Sequence, residues 1–399
     1  MPVQQSCSGV DAWSGSLYDT CIFMLKLCAQ ISACCLLAMC WCIPVFAAEI
    51  IASEQAEFRV VEVARGLDQA WSFAFLPDGR ILVTEKPGAL RIISRNGSIS
   101  APISGVPDVI NAGQGGLLDV ALHPNFTDNK LIYITYVGGK DGRVGAELMR
   151  GRLDGDELKD VEVLFRANPK FESTKHFGSR ITFDRQHKVY ISLGDRGVRE
   201  EAQNRANHLG VSVRLNDDGT VPEDNPFVGK EYVPHIFSFG HRNMQGMATN
   251  PISGDIWVHE HGPKGGDEVN ILRAGANYGW PIITYGANYS GTLITEETTR
   301  LGMEQPVLYW VPSIAPSGMA FYIGNRFPEW NGDLFVGALA GRHLRRIELD
   351  GDRAVGEEVL LDGLFERIRD VRQSPGGDLY VLTDGLAGKL IRLEPVMTP

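Results

Sequence analysis

Five segments of this chain concentrate polar side chains next to glycine. They are AGQGGLLDVALHP from Ala112, KHFGSRITFD from Lys175, GHRNMQGM from Gly240, HEHGPKGGDEVN from His259 running into NYGWP from Asn277, and ERIRDV from Glu366. The guanidinium groups of Arg242, Arg367 and Arg369 are planar, permanently charged forks that match carboxylates. A neutral imidazole, such as that of His176, takes up a proton near pH 7. Glycine lets backbone approach a flat ligand closely. Several arginines brought to one place imply a ligand with several negative charges. The His259-Glu260-His261 step has a zinc-like pair of histidines, but no third ligand follows at zinc-like spacing, so these histidines and His241 are read as shaping their loops.

The elements that position these segments are legible as a repeat. From Glu57 onward there is almost no helical periodicity, and short β-rich runs alternate with turn clusters. One pattern recurs: Pro or Asp, a Gly or Asn turn, then an alternating apolar strand. It starts at Leu76, His123, Phe183, Asn250, Phe327 and Ser374, six copies in all. Their spacing of roughly 45 to 80 residues fits a repeated β unit with insertions. A single four-stranded blade cannot bury both of its faces, whereas a closed ring of blades buries each against the next. The fold predicted is therefore all-β, a six-bladed β-propeller, with the strand near Phe58-Arg59-Val60-Val61 completing the last blade. The alternative is a pair of β-sandwiches. In a propeller, loops converge at a mouth of the central channel, and the five polar segments each sit beside a repeated strand.

Composition narrows the function. With 399 residues, 44% hydrophobic and 22% charged, the chain is globular in type, and its 45 glycines and 21 prolines suit turn-rich β structure. A net charge of -11 argues against non-specific nucleic-acid binding. All seven cysteines fall between Cys7 and Cys42. Met24 to Ala47 reads as a secretory signal: a start methionine, Lys26, an apolar run and small residues at the cut. The chain accordingly divides into an N-terminal extension with signal peptide (residues 1–47) and a propeller domain (48–399) with no cysteine, destined for the periplasm or secretion. A membrane anchor is the alternative, but the apolar run is shorter than the ~20 residues a spanning helix needs.

Taken together and in order, GHRNMQGM, HEHGPKGGDE with NYGWP, and RIRDV resemble the soluble aldose sugar dehydrogenases that depend on pyrroloquinoline quinone (PQQ), relatives of soluble glucose dehydrogenase. The resemblance spans about residues 57 to 395 and implies the same six-bladed propeller reached from the repeat count. It implies a catalytic base at His176, and PQQ contacts at Gln114, Arg242, Asn243, Arg367 and Arg369, with Gln245 in support. The three carboxylates of PQQ account for the cationic forks. Backbone carbonyls of Gly262 and Pro263 are implied to bind a Ca2+ that touches PQQ, and Glu268 with the Tyr278 backbone a second, structural Ca2+. The implied reaction takes an aldose at its anomeric carbon to a lactone, and passes electrons through PQQ to an external acceptor.

The chain departs from the family pattern at points that matter. Ala340, in FVGALAGRHL, stands where the family often has a PQQ-contacting lysine, with Arg342 as the nearby candidate to replace it. Lys175 precedes the base, and a cation there would depress the imidazole pKa if the two side chains are close. The alternative role for Arg367 and Arg369 is an ion pair with Glu366 or Asp370. Two other functions compete: a calcium-dependent propeller lactonase, which would have no need of the arginine cluster, and a non-catalytic binding propeller on the same scaffold.

Overall fold

In the computed structural model, which describes residues 50–396, the six recurring turns all do the same job. Each joins the first strand of a sheet to the second. In blade 1, Ala70–Phe75 turns at Leu76 into Ile81–Glu85, and Ala89–Ile93 follows. Gly79 makes this turn at φ +84°, where a side chain would be strained, and its N–H donates to the Leu76 carbonyl at 2.9 Å. In blade 3 the Asp184 carboxylate makes the turn by accepting from the N–H groups of Gln186 and Lys188 at 2.9 and 2.8 Å.

The other sheets are antiparallel meanders of the same kind. Blade 2 comprises Leu117–Leu122, Leu131–Lys140, Arg143–Asp154 and Glu157–Arg166. Blade 3 comprises Ile181–Phe183, Val189–Ser192, Val211–Leu215 and Ile236–Phe239. Blade 4 comprises Met244–Thr249, Ile256–Glu260, Asp267–Ile271 and Leu308–Trp310. Blade 5 comprises Pro316–Phe321, Leu334–Ala338, Leu344–Asp350 and Arg353–Leu360. Blade 6 comprises Ile368–Gln373, Leu379–Thr383 and Gly388–Pro395. Its fourth strand comes from the other end of the described chain: Glu57–Leu67 pairs with Gly388–Pro395 from Phe58↔Pro395 to Leu67↔Gly388, and Ile50–Ala52 adds to its edge. This is the closure expected from the alternation around Phe58, and it removes an exposed strand edge. Blade 1 departs from the expected four strands, with three. The chain after Ile93 still pairs with the third strand through Ser100 N–H to Ile92 and Ile103 N–H to Leu90, but Pro102 has no N–H to continue a ladder.

Strand alternation explains why the ring closes rather than stacking as sandwiches. In the middle strand of blade 1, Ile81 and Val83 face blade 6 and Leu82 faces blade 2. Every pair of neighbouring blades has its own apolar cluster built in this way. Between blades 5 and 6, Trp330 stacks on Phe327 with centroids 4.2 Å apart and meets Phe58 edge-on at 5.8 Å. The first strands touch one another in sequence, and that of blade 6 touches that of blade 1, so they surround one axis.

Charges occupy that axis. Arg180 donates to Asp370 at 2.9 Å and approaches Asp119 to 3.4 Å, while Arg372 bonds Asp119 at 2.6 Å and Asp370 at 3.0 Å. Asp119 is fully buried and also accepts from the Ser72 hydroxyl and the Ile181 N–H, so blades 1, 2, 3 and 6 share one knot. Removing one partner from such a network leaves an uncompensated buried charge. Asp119→Ala is expected to lower stability by about 3–5 kcal/mol, read as a fall in the urea unfolding midpoint. An unchanged midpoint would mean that the knot does not hold the ring together.

The expected signal peptide, the cysteines and the cut at Ala47 lie outside the described residues. Among the described residues, no helix is long and apolar enough to cross a membrane.

Candidate active site

An antiparallel meander sends its chain ends to alternate faces. Loops that enter a blade and hairpins that join its second and third strands therefore emerge at one mouth, and the six recurring turns at the other. Gln114, His176, Arg242 with Asn243, and Arg367 all precede a first strand, and Arg369 lies within one. His261, Gly262 and Pro263 follow a second strand, as do Lys86, Asp195 and Asp384. The ring thus gathers residues up to 298 positions apart, Lys86 and Asp384, onto one face.

At this mouth lies a cavity of about 550 Å3, in the range of cofactor sites, walled in part by Gln114, Asn243, Gln245, Arg367, Arg369 and His261. Neither Glu366 nor Asp370 pairs with the two arginines. Glu366 holds Lys389, and Asp370 belongs to the axial knot. Their partner is Asp384, whose Oδ2 accepts from Arg367 Nε at 2.9 Å and meets Arg369 Nη2 at 3.3 Å. One carboxylate thus serves two guanidinium groups, and the buried Nε of Arg369 has no hydrogen-bond partner among the described residues. Burial first, and the Arg180 and Arg367 charges with it, push the Arg369 pKa down against the opposing pull of Asp384. A multiply anionic, flat ligand fits this donor surplus.

His176 stands beside the wall residues Phe177 and Gly178, 8% exposed, with its backbone at φ +55°. That left-handed conformation is uncommon outside glycine and is held from several sides. Its N–H donates to Gln114 Oε1 at 2.7 Å. Arg196 donates to the Lys175 carbonyl at 2.8 Å and lies 3.7 Å over the Phe177 ring. Gly194 passes so close that a Cβ there would collide with the His176 carbonyl oxygen. The ring Nδ1 lies 2.6 Å from Asp195 Oδ1. Asp195 is itself fixed by the Trp280 Nε1–H at 2.8 Å and the Gly197 N–H at 2.7 Å. With Nδ1–H donated to the carboxylate, Nε2 keeps its lone pair. Burial lowers the His176 pKa, Asp195 opposes this, and the Arg242 and Lys175 charges lower it further, for a net value below 6.5. Burial pushes the Asp195 carboxyl up, but His176, Gly197 and Arg242 together hold it below its usual range. The arrangement is a neutral base with an oriented, ionised partner.

Arg242 does not form the cavity wall. Its Nη1 donates to the His261 and Gly262 carbonyls at 2.9 and 3.0 Å, and its backbone N–H donates to Glu260 at 2.6 Å. The structure therefore ties one expected PQQ contact to one expected Ca2+ ligand. Behind them His241 bonds Glu260 at 2.8 Å and stacks on Tyr278, which shapes the loop as expected. His261 differs from that expectation: its Nε2 bonds the Pro316 carbonyl at 2.6 Å, and its ring faces the cavity.

The second expected Ca2+ position can be tested against its surroundings. Glu260, Glu268, Tyr278, Gly262 and Thr284 surround a void of about 10 Å3, roughly the space of one water. Glu268 has a single weak partner, Asn270 Nδ2 at 3.2 Å, and no Lys or Arg pairs with it among the described residues. Burial first, and then the Glu260 charge, raise its pKa to about 8. Arg242 also lines this void, and the Glu260 carboxylate with the half-buried Glu268 carboxylate at its border fits a hard cation. Among the described residues, no group of three or more His, Cys, Asp or Glu side chains is placed to hold a metal, so backbone carbonyls would have to supply most ligands.

Of the residues that complete the site, sequence reasoning missed Asp195, Trp280, Asp384, Lys86 and the cavity role of His261. Asp195 had a signal: it ends FDRQHKVYISLGD, at the mouth side of a repeated strand. Arg342, the candidate replacement for the absent lysine, donates instead to the Phe365 carbonyl at 3.3 Å and lies outside the cavity wall.

A six-bladed propeller with a His–Asp base pair beside a cationic cavity at one mouth defines a class of propeller enzyme. The chain belongs to the glucose/sorbosone dehydrogenase family, whose model matches residues 67–392. It is 45% identical over 336 residues to the aldose sugar dehydrogenase YliI of Escherichia coli K12, covering 82% of this chain and 91% of that one. The crystal structure of the soluble aldose sugar dehydrogenase from Escherichia coli in the apo-form superposes with a TM-score of 0.83 at 44% identity, covering 85% of this chain and all of that one. The PQQ-bound aldose sugar dehydrogenase from Streptomyces coelicolor matches with a TM-score of 0.72 at 28% identity, over 86% of this chain and 99% of that one.

Proposed function

We propose that this chain is a PQQ- and Ca2+-dependent aldose sugar dehydrogenase that oxidises the anomeric carbon of aldoses to lactones. The observation that carries the reading is the neutral His176–Asp195 pair beside a cavity whose cationic wall exceeds its own carboxylates. His176 Nε2 removes the proton of the anomeric hydroxyl, and Asp195 steadies the resulting imidazolium. As that O–H bond breaks, the anomeric carbon gains its C=O bond and releases a hydride. PQQ would supply a quinone that takes up hydride, and Ca2+ would supply Lewis-acid polarisation of its carbonyl. Gln114, Asn243, Arg367 and Arg369 would hold PQQ, with Arg242 reaching it by leaving the carbonyls that it now meets. Gly262 and Pro263 carbonyls would take the Ca2+ at PQQ, and Glu268 with Tyr278 the structural one. An external acceptor would take the two electrons.

The reading of Met24 to Ala47 as a secretory signal supports action in the periplasm or outside the cell. The test is reconstitution of purified protein with PQQ and Ca2+, followed by dye reduction with a panel of aldoses. Dye reduction by several aldoses that requires PQQ is expected. Hydrolysis of a lactone by PQQ-free, Ca2+-loaded protein, without any sugar oxidation, would overturn the proposal in favour of a lactonase.

A further inference from the structure

One cation in the cavity is assigned by neither the motifs nor the resemblance. Lys86 follows Ile81–Glu85 in blade 1, and its side chain helps to wall the cavity. Its Nζ donates to the Gly113 carbonyl at 2.8 Å, in the loop that carries Gln114. It pairs with no carboxylate within ion-pair distance among the described residues. Burial and then the Arg369 charge lower its pKa, while Asp384 opposes them, so the ammonium and these two side chains share one field. The wall therefore carries Lys86, Arg367 and Arg369 against the single Asp384, three positive charges less one negative, a surplus of two.

Blade 5 does not add to this surplus. Ala340 is exposed and has no charge to offer, and Arg342 is engaged with the Phe365 carbonyl. Lys86 approaches from the opposite flank of blade 6, across Arg369 and Asp384. Its four-carbon stem is flexible, and its bond to Gly113 is a neutral acceptor's bond that a carboxylate would outcompete.

We propose that Lys86 is a further cofactor-binding residue, pairing from blade 1 with a carboxylate of PQQ and supplying the charge that Ala340 cannot supply from blade 5. The inference rests on the quinoprotein reading above. A point charge, unlike a bidentate fork, tolerates replacement by another cation.

The experiment is a PQQ titration of the Ca2+-loaded, PQQ-free full chain, followed by quenching of tryptophan fluorescence, with Trp71 in the cavity wall as an internal reporter. Loss of one charge-assisted bond is expected to raise Kd roughly tenfold or more in Lys86→Gln and Lys86→Met. Lys86→Arg should stay within about threefold, and Lys159→Gln, on the exposed edge of blade 2, should match the unaltered protein. The salt dependence of Kd should become shallower in Lys86→Gln. If the unaltered chain binds PQQ and both neutral variants bind it equally well, the role of Lys86 is refuted while the quinoprotein reading stands. If the unaltered chain binds no PQQ, the quinoprotein reading falls and this inference with it.

Discussion

His176→Ala is expected to lower kcat for aldose oxidation by about 10²–10⁴ while changing the Kd for PQQ less than threefold. The size follows from general-base catalysis, because Nε2 is the atom that takes the anomeric proton in the proposed reaction. The cofactor effect is small because the cations of the cavity wall lie on blades 1 and 6, whereas His176 enters blade 3. Steady-state kinetics with saturating PQQ separates the two quantities, and near-normal turnover in the variant would refute the assignment of the base. The same group sets the acid limb of the pH profile. The His176 pKa is lowered, so the imidazole is neutral and competent above its folded value, which lies below 6.5. Activity is therefore expected to be level from neutral pH upward on this limb, and to fall as pH drops through that lowered pKa. A limb centred above pH 7 would contradict the burial that lowers it. Asp195→Asn keeps the shape but removes the charge that fixes the Nδ1–H tautomer, and should lower kcat without altering PQQ binding.

The paired substitution Arg367→Ala with Arg369→Ala is expected to weaken PQQ binding by about 10²–10⁴. Two charge-assisted bonds at about 1.5–3 kcal/mol each give that range. The loss also leaves Asp384 without its partners, so a carboxylate then faces an anionic ligand. The single variants should be unequal. Arg369 is largely buried with an unpartnered Nε, whereas Arg367 is exposed and screened by water. Arg369→Ala should therefore account for most of the effect. Fluorescence titration with PQQ checks this, and equal affinity in the double variant would mean that the cavity wall is not the carboxylate site.

The architecture was legible because its signal is periodic. Six turns with Gly, Asn or Asp at fixed places, each followed by an alternating strand, mark six first hairpins, and the strand at Phe58 closes the ring. Blade 1 escaped the rule because Pro102 interrupts a ladder that its neighbours would otherwise complete. The site was legible as motifs but not as geometry. Asp119, Arg180 and Asp370 stand in the same dense segments as Gln114, His176 and Arg369, yet they knot the axis rather than meet the cavity. Composition cannot separate the two roles, because both need charge next to glycine at strand ends. Asp195, Trp280 and Asp384 were missed for a different reason. Each acts through a partner more than 15 residues away: the first hairpins of blades 3 and 6 bring His176 to Asp195 and Arg367 to Asp384, and the packing of blade 4 on blade 3 brings Trp280 to Asp195. Arg242 was legible as a cation, but not that its guanidinium would meet the Gly262 carbonyl.

A crystal structure of the protein soaked with PQQ decides whether these side chains surround the cofactor. The quinone is expected inside the 550 Å3 cavity, with carboxylates at Arg367, Arg369 and Lys86 and its reactive edge toward His176. PQQ bound elsewhere, or bound in the cavity with its carboxylates turned away from these three cations, would contradict this placement.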